Sequence, residues 1–181
     1  MENQDYRLIP LTQGQFAIVD AADYEWLMQQ KWNARWSKKG KCFYVTGKNG
    51  HSNIYMHRHI MGTPKGLRTD HRNHNPLDNR RGNLRIATPS QNNQNARISS
   101  INSSGFKGVW YDKRCKRWAT AIKLGGKRFF LGRYKTSELA SEKYKEAAIR
   151  MFGEFACAGD GSPFPEVPAC NPGERKGEIG S

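Results

Sequence analysis

No two cysteines in this chain are spaced as a metal knuckle. Cys42, Cys115, Cys157 and Cys170 lie far apart and never form a Cys-x-x-Cys pair, which argues against a zinc site and against a disulfide framework. They read as reduced thiols. Long hydrophobic runs are also missing: no window approaches the length of a membrane-spanning helix, and Met1 to Asp5 has neither a basic nor an apolar leader region. The expectation is an intracellular, soluble protein. RGG-like repeats and known RNA-binding signatures are absent, which weakens an RNA-binding reading, and no basic amphipathic helix with a bulky apolar face suggests a membrane surface.

Acidic residues are the other shortage. Sixteen Asp and Glu stand against 30 Lys and Arg in 181 residues, a formal net charge of +14. The segment from Ala158 to Ser181 is itself acidic, with Asp160, Glu166, Glu174 and Glu178 against Arg175 and Lys176, so residues 1–157 carry +16. Such an excess suits a protein that neutralises many phosphates. With only 36% apolar residues, the chain is expected to form several small cores rather than one large one.

The fold class expected is α+β. Residues 1–60 read as a small α+β unit, with β-type runs at Arg7 to Pro10, Phe16 to Val19, Lys41 to Thr46 and Asn53 to His57. One helix is expected from Asp23 to Lys31, with Trp26, Leu27 and Trp32 on its apolar side. Gly47-Lys48-Asn49-Gly50 is a hairpin signal. His57 and His59 close this unit two residues apart, sharing a face if the strand continues, and read as structural or phosphate-contacting histidines. Residues 61–98 read as strand (Gly66 to His71), turn-rich loop, strand (Asn83 to Ala87) and helix. Thr88 is a natural N-cap, Pro89 suits the first helical position and Gln91 completes a Thr-x-x-Gln capping box, so Asn92 falls in the first turn.

Residues 99–105 form a small polar linker. Residues 106–157 read as a three-stranded antiparallel sheet (Val109 to Asp112, Arg117 to Leu124, Arg128 to Tyr134) packed on one helix, Ser137 to Phe152, capped by Thr136 and Gly153. Leu139, Ala140, Tyr144, Ala147, Ala148 and Met151 form the stripe of that helix that meets the sheet. Strand alternation places Arg117, Ala119, Ala121 and Lys123 on one face with Arg128 and Phe130, and Phe129 and Leu131 on the helix side. The region from Phe106 to Lys135 holds ten basic residues against Asp112 alone, while Glu138, Glu142 and Glu146 line one side of the helix; the sheet is therefore expected to face a nucleic acid. Residues 158–181, rich in Pro and Gly, read as a disordered tail.

Asp70 and Asn92 offer hard oxygen ligands suited to Mg²⁺, and His71 supplies an imidazole suited to water activation near neutral pH. An isolated Asp-His pair would more often cap a strand. Asn83, the capping box and Asn92 at their spacings shift the balance to a ββα-metal site, and His74 reads as a loop residue.

Two resemblances extend these readings. Thr69-Asp70-His71, Asn83-Leu84-Arg85 and Thr88-Pro89-Ser90-Gln91-Asn92 resemble the HNH homing endonucleases of phages and mobile introns. Ile9 to Gly14 through Lys31-Trp32 is similar to segments that precede such motifs. Gly108-Val109, Arg117-Trp118-Ala119, Phe130-Leu131-Gly132 and the helix ending at Phe152-Gly153 resemble the Apetala-two (ethylene-response-factor) DNA-binding domain. The first resemblance implies His71 as general base, Asn83 as the residue holding its loop, and Asp70 and Asn92 as ligands of one Mg²⁺ or Mn²⁺ ion, with no zinc and no small-molecule cofactor. The second implies DNA contacts by Lys107, Trp110, Arg114, Arg117, Lys123, Arg128 and Phe130. Together they imply a sequence-tolerant, site-specific homing endonuclease. It would act on double-stranded DNA in the cytoplasm of a bacterial or phage-infected cell, as a monomer nicking one strand, with dimerisation the route to cutting both. A DNA-binding regulator with a vestigial nuclease unit is the alternative.

Overall fold

The computed structural model describes residues 5–38, 40–50, 52–98 and 102–157. Cys170, the acidic tail and the first part of the linker lie outside them. The chain divides into two compact units, residues 1–96 and 97–181. Both are α+β, and the sheets are small and antiparallel.

The first unit opens with a hairpin, β1 (Tyr6–Pro10) and β2 (Phe16–Asp20), followed by helix α1 (Ala21–Met28). The helix ends earlier than expected because Trp32 is not part of it. Trp32 begins β3 (Trp32–Ser37), and its indole Nε1 donates to the Leu27 carbonyl at 2.8 Å, closing the helix from outside. β3 pairs with β4 (Cys42–Asn49), which pairs with β5 (Ser52–Tyr55). The hairpin signal belongs one step later than its motif: β4 runs through Lys48 and Asn49, and Gly50 takes the positive φ of +58°.

His57 and His59 do not continue a strand. They sit in helix α2 (Met56–Met61), where positions two apart diverge: His59 packs on Trp26 and Trp32, and His57 on Tyr55 and His71. β6 (Arg68–His71) and β7 (Leu84–Ala87) then form a hairpin with Asp70 opposite Arg85 and His71 opposite Leu84. Helix α3 (Pro89–Gln94) follows with the expected reciprocal cap, Thr88 accepting from the Gln91 amide at 3.2 Å and Gln91 Oε1 accepting from the Thr88 amide at 2.8 Å. One core joins the hairpin, α1, the three-stranded sheet, α2 and β7, from Ile9, Val19 and Leu27 through Trp32, Val45 and Met56 to Leu84.

In the second unit, β8 (Val109–Asp112), β9 (Arg117–Leu124) and β10 (Lys127–Tyr134) form a sheet in the order β10-β9-β8, and α4 (Ser137–Phe152) packs on it. Thr120 and Ile122 are buried against the helix stripe of Ala140, Tyr144, Ala147 and Ala148. Gly108 is required here by both conformation and space. Its φ is +70°, and a Cβ would run into the Tyr144 ring and lie 2.8 Å from the Ala121 carbonyl oxygen.

Alternation along β10 breaks at Leu131. Phe130 pairs with Ala121 but Gly132 pairs with Thr120, so an extra residue reverses the facing of everything after it. Arg133 consequently shares the basic face with Phe130 and Ala119, a placement that strict period two denies it.

Candidate active site

Asp70 and His71 end β6, and the loop from Arg72 to Asn83 would wave freely if nothing held it. Two anchors do. Its middle runs beside β2, where the Ile18 amide donates to the Leu77 carbonyl at 2.8 Å and the Asn79 amide to the Ile18 carbonyl at 2.7 Å. Asn83 ties its ends: Oδ1 accepts from the Asn73 amide at 3.0 Å, Nδ2 donates to the Asp78 carbonyl at 2.7 Å, and the Asn83 carbonyl accepts from Arg72 at 2.9 Å. Asp78 adds a fork to Arg80 at 2.7–2.8 Å and accepts from Asn73, which hold its carboxyl below the usual range despite burial.

The Asp70 carboxylate is buried and enclosed. Arg85, opposite it on β7, donates through Nε at 2.8 Å and lies 2.7 Å away through its second nitrogen. Asn95 donates to both carboxylate oxygens at 3.0 and 2.9 Å, and to the His71 carbonyl at 3.2 Å. These bonds dock the end of α3 against β6. Asn92 lies three residues before Asn95, hence on the same side of the helix, and lines a cleft together with Thr69, Arg68 and His57. Arg85 lies in the Asn83-Leu84-Arg85 segment, which by itself assigns it no role, and Asn95 lies outside the motif segments. The role of Arg85 is findable only by placing the hairpin in register, and Asn95 only as the neighbour of Asn92 one turn on.

His71 is 7% exposed, and its Nε2 lies 3.5 Å from Oδ1 of Asn79, a fully buried amide whose own nitrogen donates to the Pro76 and Leu77 carbonyls. Burial lowers the imidazole pKa below its usual 6.5, against the opposing pull of the Asn79 bond, Asp70 and Asp78. Burial thus favours the neutral ring. His57 meets it edge to face, centroids 5.0 Å apart, and burial drives the His57 pKa to about 3.

The donor set fits a hard divalent ion. Oδ2 of Asp70 already meets both Arg85 nitrogens and Asn95, so Oδ1, which accepts from Asn95, is the oxygen with lone-pair capacity to spare, and an Asn92 amide oxygen would be a neutral ligand of the same hard class. Among the described residues no three His, Cys, Asp or Glu side chains come together. A metal here would thus depend on amide oxygens and water as well as on Asp70.

Comparison with known proteins gives this geometry a family. The family model described as HNH endonuclease matches residues 55–94, from the end of β5 through α3. An uncharacterized HNH endonuclease of Acanthamoeba polyphaga mimivirus is 30% identical over 134 residues, covering 67% of this chain and 69% of the relative. The chain belongs to the HNH endonuclease family. Protein 3.8 of Escherichia phage T7 is 31% identical over 93 residues, covering 51% of this chain and 76% of that protein. No solved structure matches. A second family model, the AP2 domain, matches residues 104–154 of this endonuclease. It is a hydrolase of DNA phosphodiester bonds joined to a DNA-binding module. Among the described residues, no helix of this endonuclease is long and apolar enough to cross a membrane.

Arg117, Lys123, Arg128 and Phe130 on the AP2 sheet and Arg114 in the turn between β8 and β9 are exposed, and Phe130 leaves 54% of its surface open. The Arg128 guanidinium lies 4.5 Å from the centre of the Trp110 ring, and that of Arg133 5.0 Å from Phe130. Arg133 also pairs with Asp112 at 2.9 Å, so the one acid of this face is neutralised. Lys107 differs from the rest. It is half-buried beside Gly108, and burial lowers its ammonium pKa.

Proposed function

We propose that the protein is a metal-dependent endonuclease of double-stranded DNA, of the homing type, nicking one strand as a monomer in a bacterial or phage-infected cytoplasm. The observation that carries this reading is the docking of α3 on β6 through Asn95, which donates to the buried Asp70 carboxylate and to the His71 carbonyl.

In this reading His71 is the general base. A proton on Nε2, directed at Asn79, leaves Nδ1 with the lone pair that takes a proton from water. The hydroxide so formed attacks phosphorus, the bond to the 3′ oxygen breaks, and that oxygen leaves as the strand is nicked. Asp70 and Asn92 would hold one Mg²⁺ or Mn²⁺ ion, which supplies Lewis-acid stabilisation of the charge on the phosphoryl and departing oxygens. Arg85 and Asn95 fix the carboxylate, and Asn83 fixes the loop that carries His71 and Asn79. The AP2 sheet selects the site through Arg114, Arg117, Lys123 and Arg128, with Trp110 and Phe130 between them and Lys107 at the edge.

Purified protein with Mg²⁺ should convert supercoiled plasmid to nicked circles, and both EDTA and His71→Ala should abolish the conversion. Undiminished nicking by the alanine variant would overturn the base assignment. Tight binding that leaves plasmid supercoiled would favour a DNA-binding regulator instead.

A further inference from the structure

Residues 5–54 lie outside both family matches, yet they build one wall of a cleft in the first unit. The cleft encloses about 650 Å³. Register explains which side chains reach it. Arg35 pairs with Tyr44, and Thr46 with Tyr55, so Arg35, Tyr44 and Tyr55 share the face of the β3-β4-β5 sheet turned away from Val45 and Ile54 of the core. The opposite wall is Arg68 and Thr69 of β6 with Asn92 of α3.

Three features of this cleft point to one kind of occupant. Arg35, Lys38, Arg58 and Arg68 line it and no Asp or Glu does. Arg58 is committed to the carbonyls of Thr63, Pro64 and Leu67, whereas the charged groups of Arg35, Lys38 and Arg68 have no partner among the described residues. Unpaired cations facing each other across a groove repel unless an anion joins them. A run of rings also leads from the sheet to the base: Tyr44 to Tyr55 at 6.0 Å, Tyr55 to His57 at 5.4 Å, and His57 to His71 at 5.0 Å between centroids. Finally, His57 is 7% exposed and its Nδ1 has no hydrogen-bond partner among the described residues.

We propose that the N-terminal sheet is a second DNA-contacting surface, a phosphate channel through which the backbone of the strand to be cut passes. Arg35 and Arg68 grip phosphates from opposite walls, Lys38 supports them at the rim, and Tyr44 and Tyr55 pack against sugars. The grip is independent of sequence because it touches only the backbone. It rests on the nuclease reading for its purpose but not for its test.

The test is equilibrium binding of the full chain to a fluorescent random-sequence duplex across a salt series, in EDTA so that no cleavage intervenes. Each lost phosphate contact removes about 0.9 from the slope of log affinity against log salt. Arg35→Ala/Arg68→Ala should flatten the slope by about 2 and weaken low-salt binding about tenfold or more, with the melting temperature unchanged. Arg35→Lys/Arg68→Lys should restore the slope. Wild-type slope and affinity in the alanine pair would overturn the proposal, as would a loss that the lysine pair fails to repair. If wild-type protein proves unable to cut with Mg²⁺ while the slope still changes, the channel stands and the nuclease reading falls.

Discussion

Asp70, the proposed metal ligand, must also be accommodated by the fold. A carboxylate left alone at this depth would cost several kcal/mol, and Arg85 on the facing strand removes that cost, so that deleting the arginine alone would cost about 3–5 kcal/mol. Of the neighbouring histidines, His71 is relieved only in part by Asn79, Asp70 and Asp78, and His57 has no carboxylate partner to offset its burial. His57 is held neutral by burial, with a pKa of about 3 against 6.5, and His71 is shifted the same way. The unfolded chain takes up a proton on His57 below pH 6.5 and the folded chain does not until about pH 3. Stability is therefore complete above pH 6.5 and falls as the pH drops toward 3, at up to about 1.4 kcal/mol per pH unit for this one group. His57→Gln removes that share. Urea unfolding followed from pH 6.5 to 4 should show a shallower decline for the variant than for wild type, and parallel lines would mean that His57 is not held neutral by the fold.

At the scale of elements, α3 matters most, because it is only six residues long and yet carries Asn92 and leads into Asn95. Helices this short do not persist on propensity, so its cap and its bond to Asp70 hold it. Thr88→Ala removes the hydroxyl half of the capping box, leaving only the Gln91 side chain on the backbone amide of residue 88, and should cost about 1 kcal/mol in guanidinium unfolding. Nicking at saturating DNA should slow by roughly tenfold while DNA affinity stays near wild type, and Thr88→Ser should recover most of the rate. An equal rate in Thr88→Ala would show that α3 is held by its contact with β6 alone. This cap was legible in the sequence because Thr88, Pro89 and Gln91 interact within one turn, and the three C-terminal strands were legible because their alternation is regular. Three features were not. Trp32 has the spacing of a helix residue, and only its pairing with Gly47 of β4 places it in a strand. His57 reads as strand because Tyr55 and Ile54 precede it, although α2 begins at Met56. The extra residue at Leu131 leaves no mark in composition, so Arg133 was not assigned to the DNA face. Of the candidate site, Asp70, His71, Arg85 and Asn92 lie in motif segments, whereas the pairing of Arg85 with Asp70 and the support from Asn79 and Asn95 depend on contacts that exist only once the hairpin and loop have formed.

Across the whole molecule, charge and function divide differently. The excess of positive charge over residues 1–157 is shared by both units, but the means of recognition are not. The AP2 sheet presents arginines interleaved with Trp110 and Phe130, which suits reading base edges in a groove, while the catalytic unit offers a cleft of cations and tyrosines that suits backbone alone. If site selection belongs to the AP2 module and cutting to the HNH unit, separating them should separate the activities. A chain ending at Arg97 keeps every element from β1 to α3 and the shared core, so it retains what folding of the first unit requires. It should nick plasmid in an EDTA-sensitive manner, but at higher protein concentration, and at scattered positions where the full chain gives preferred ones. The sites are mapped by primer extension across nicked plasmid. Residues 97–157 alone should bind duplex DNA and protect the preferred site from nuclease digestion without cutting. Scattered nicking by the short chain together with protection by the isolated sheet would establish the division of labour. The same preferred positions from the short chain would instead place sequence selection within the catalytic unit.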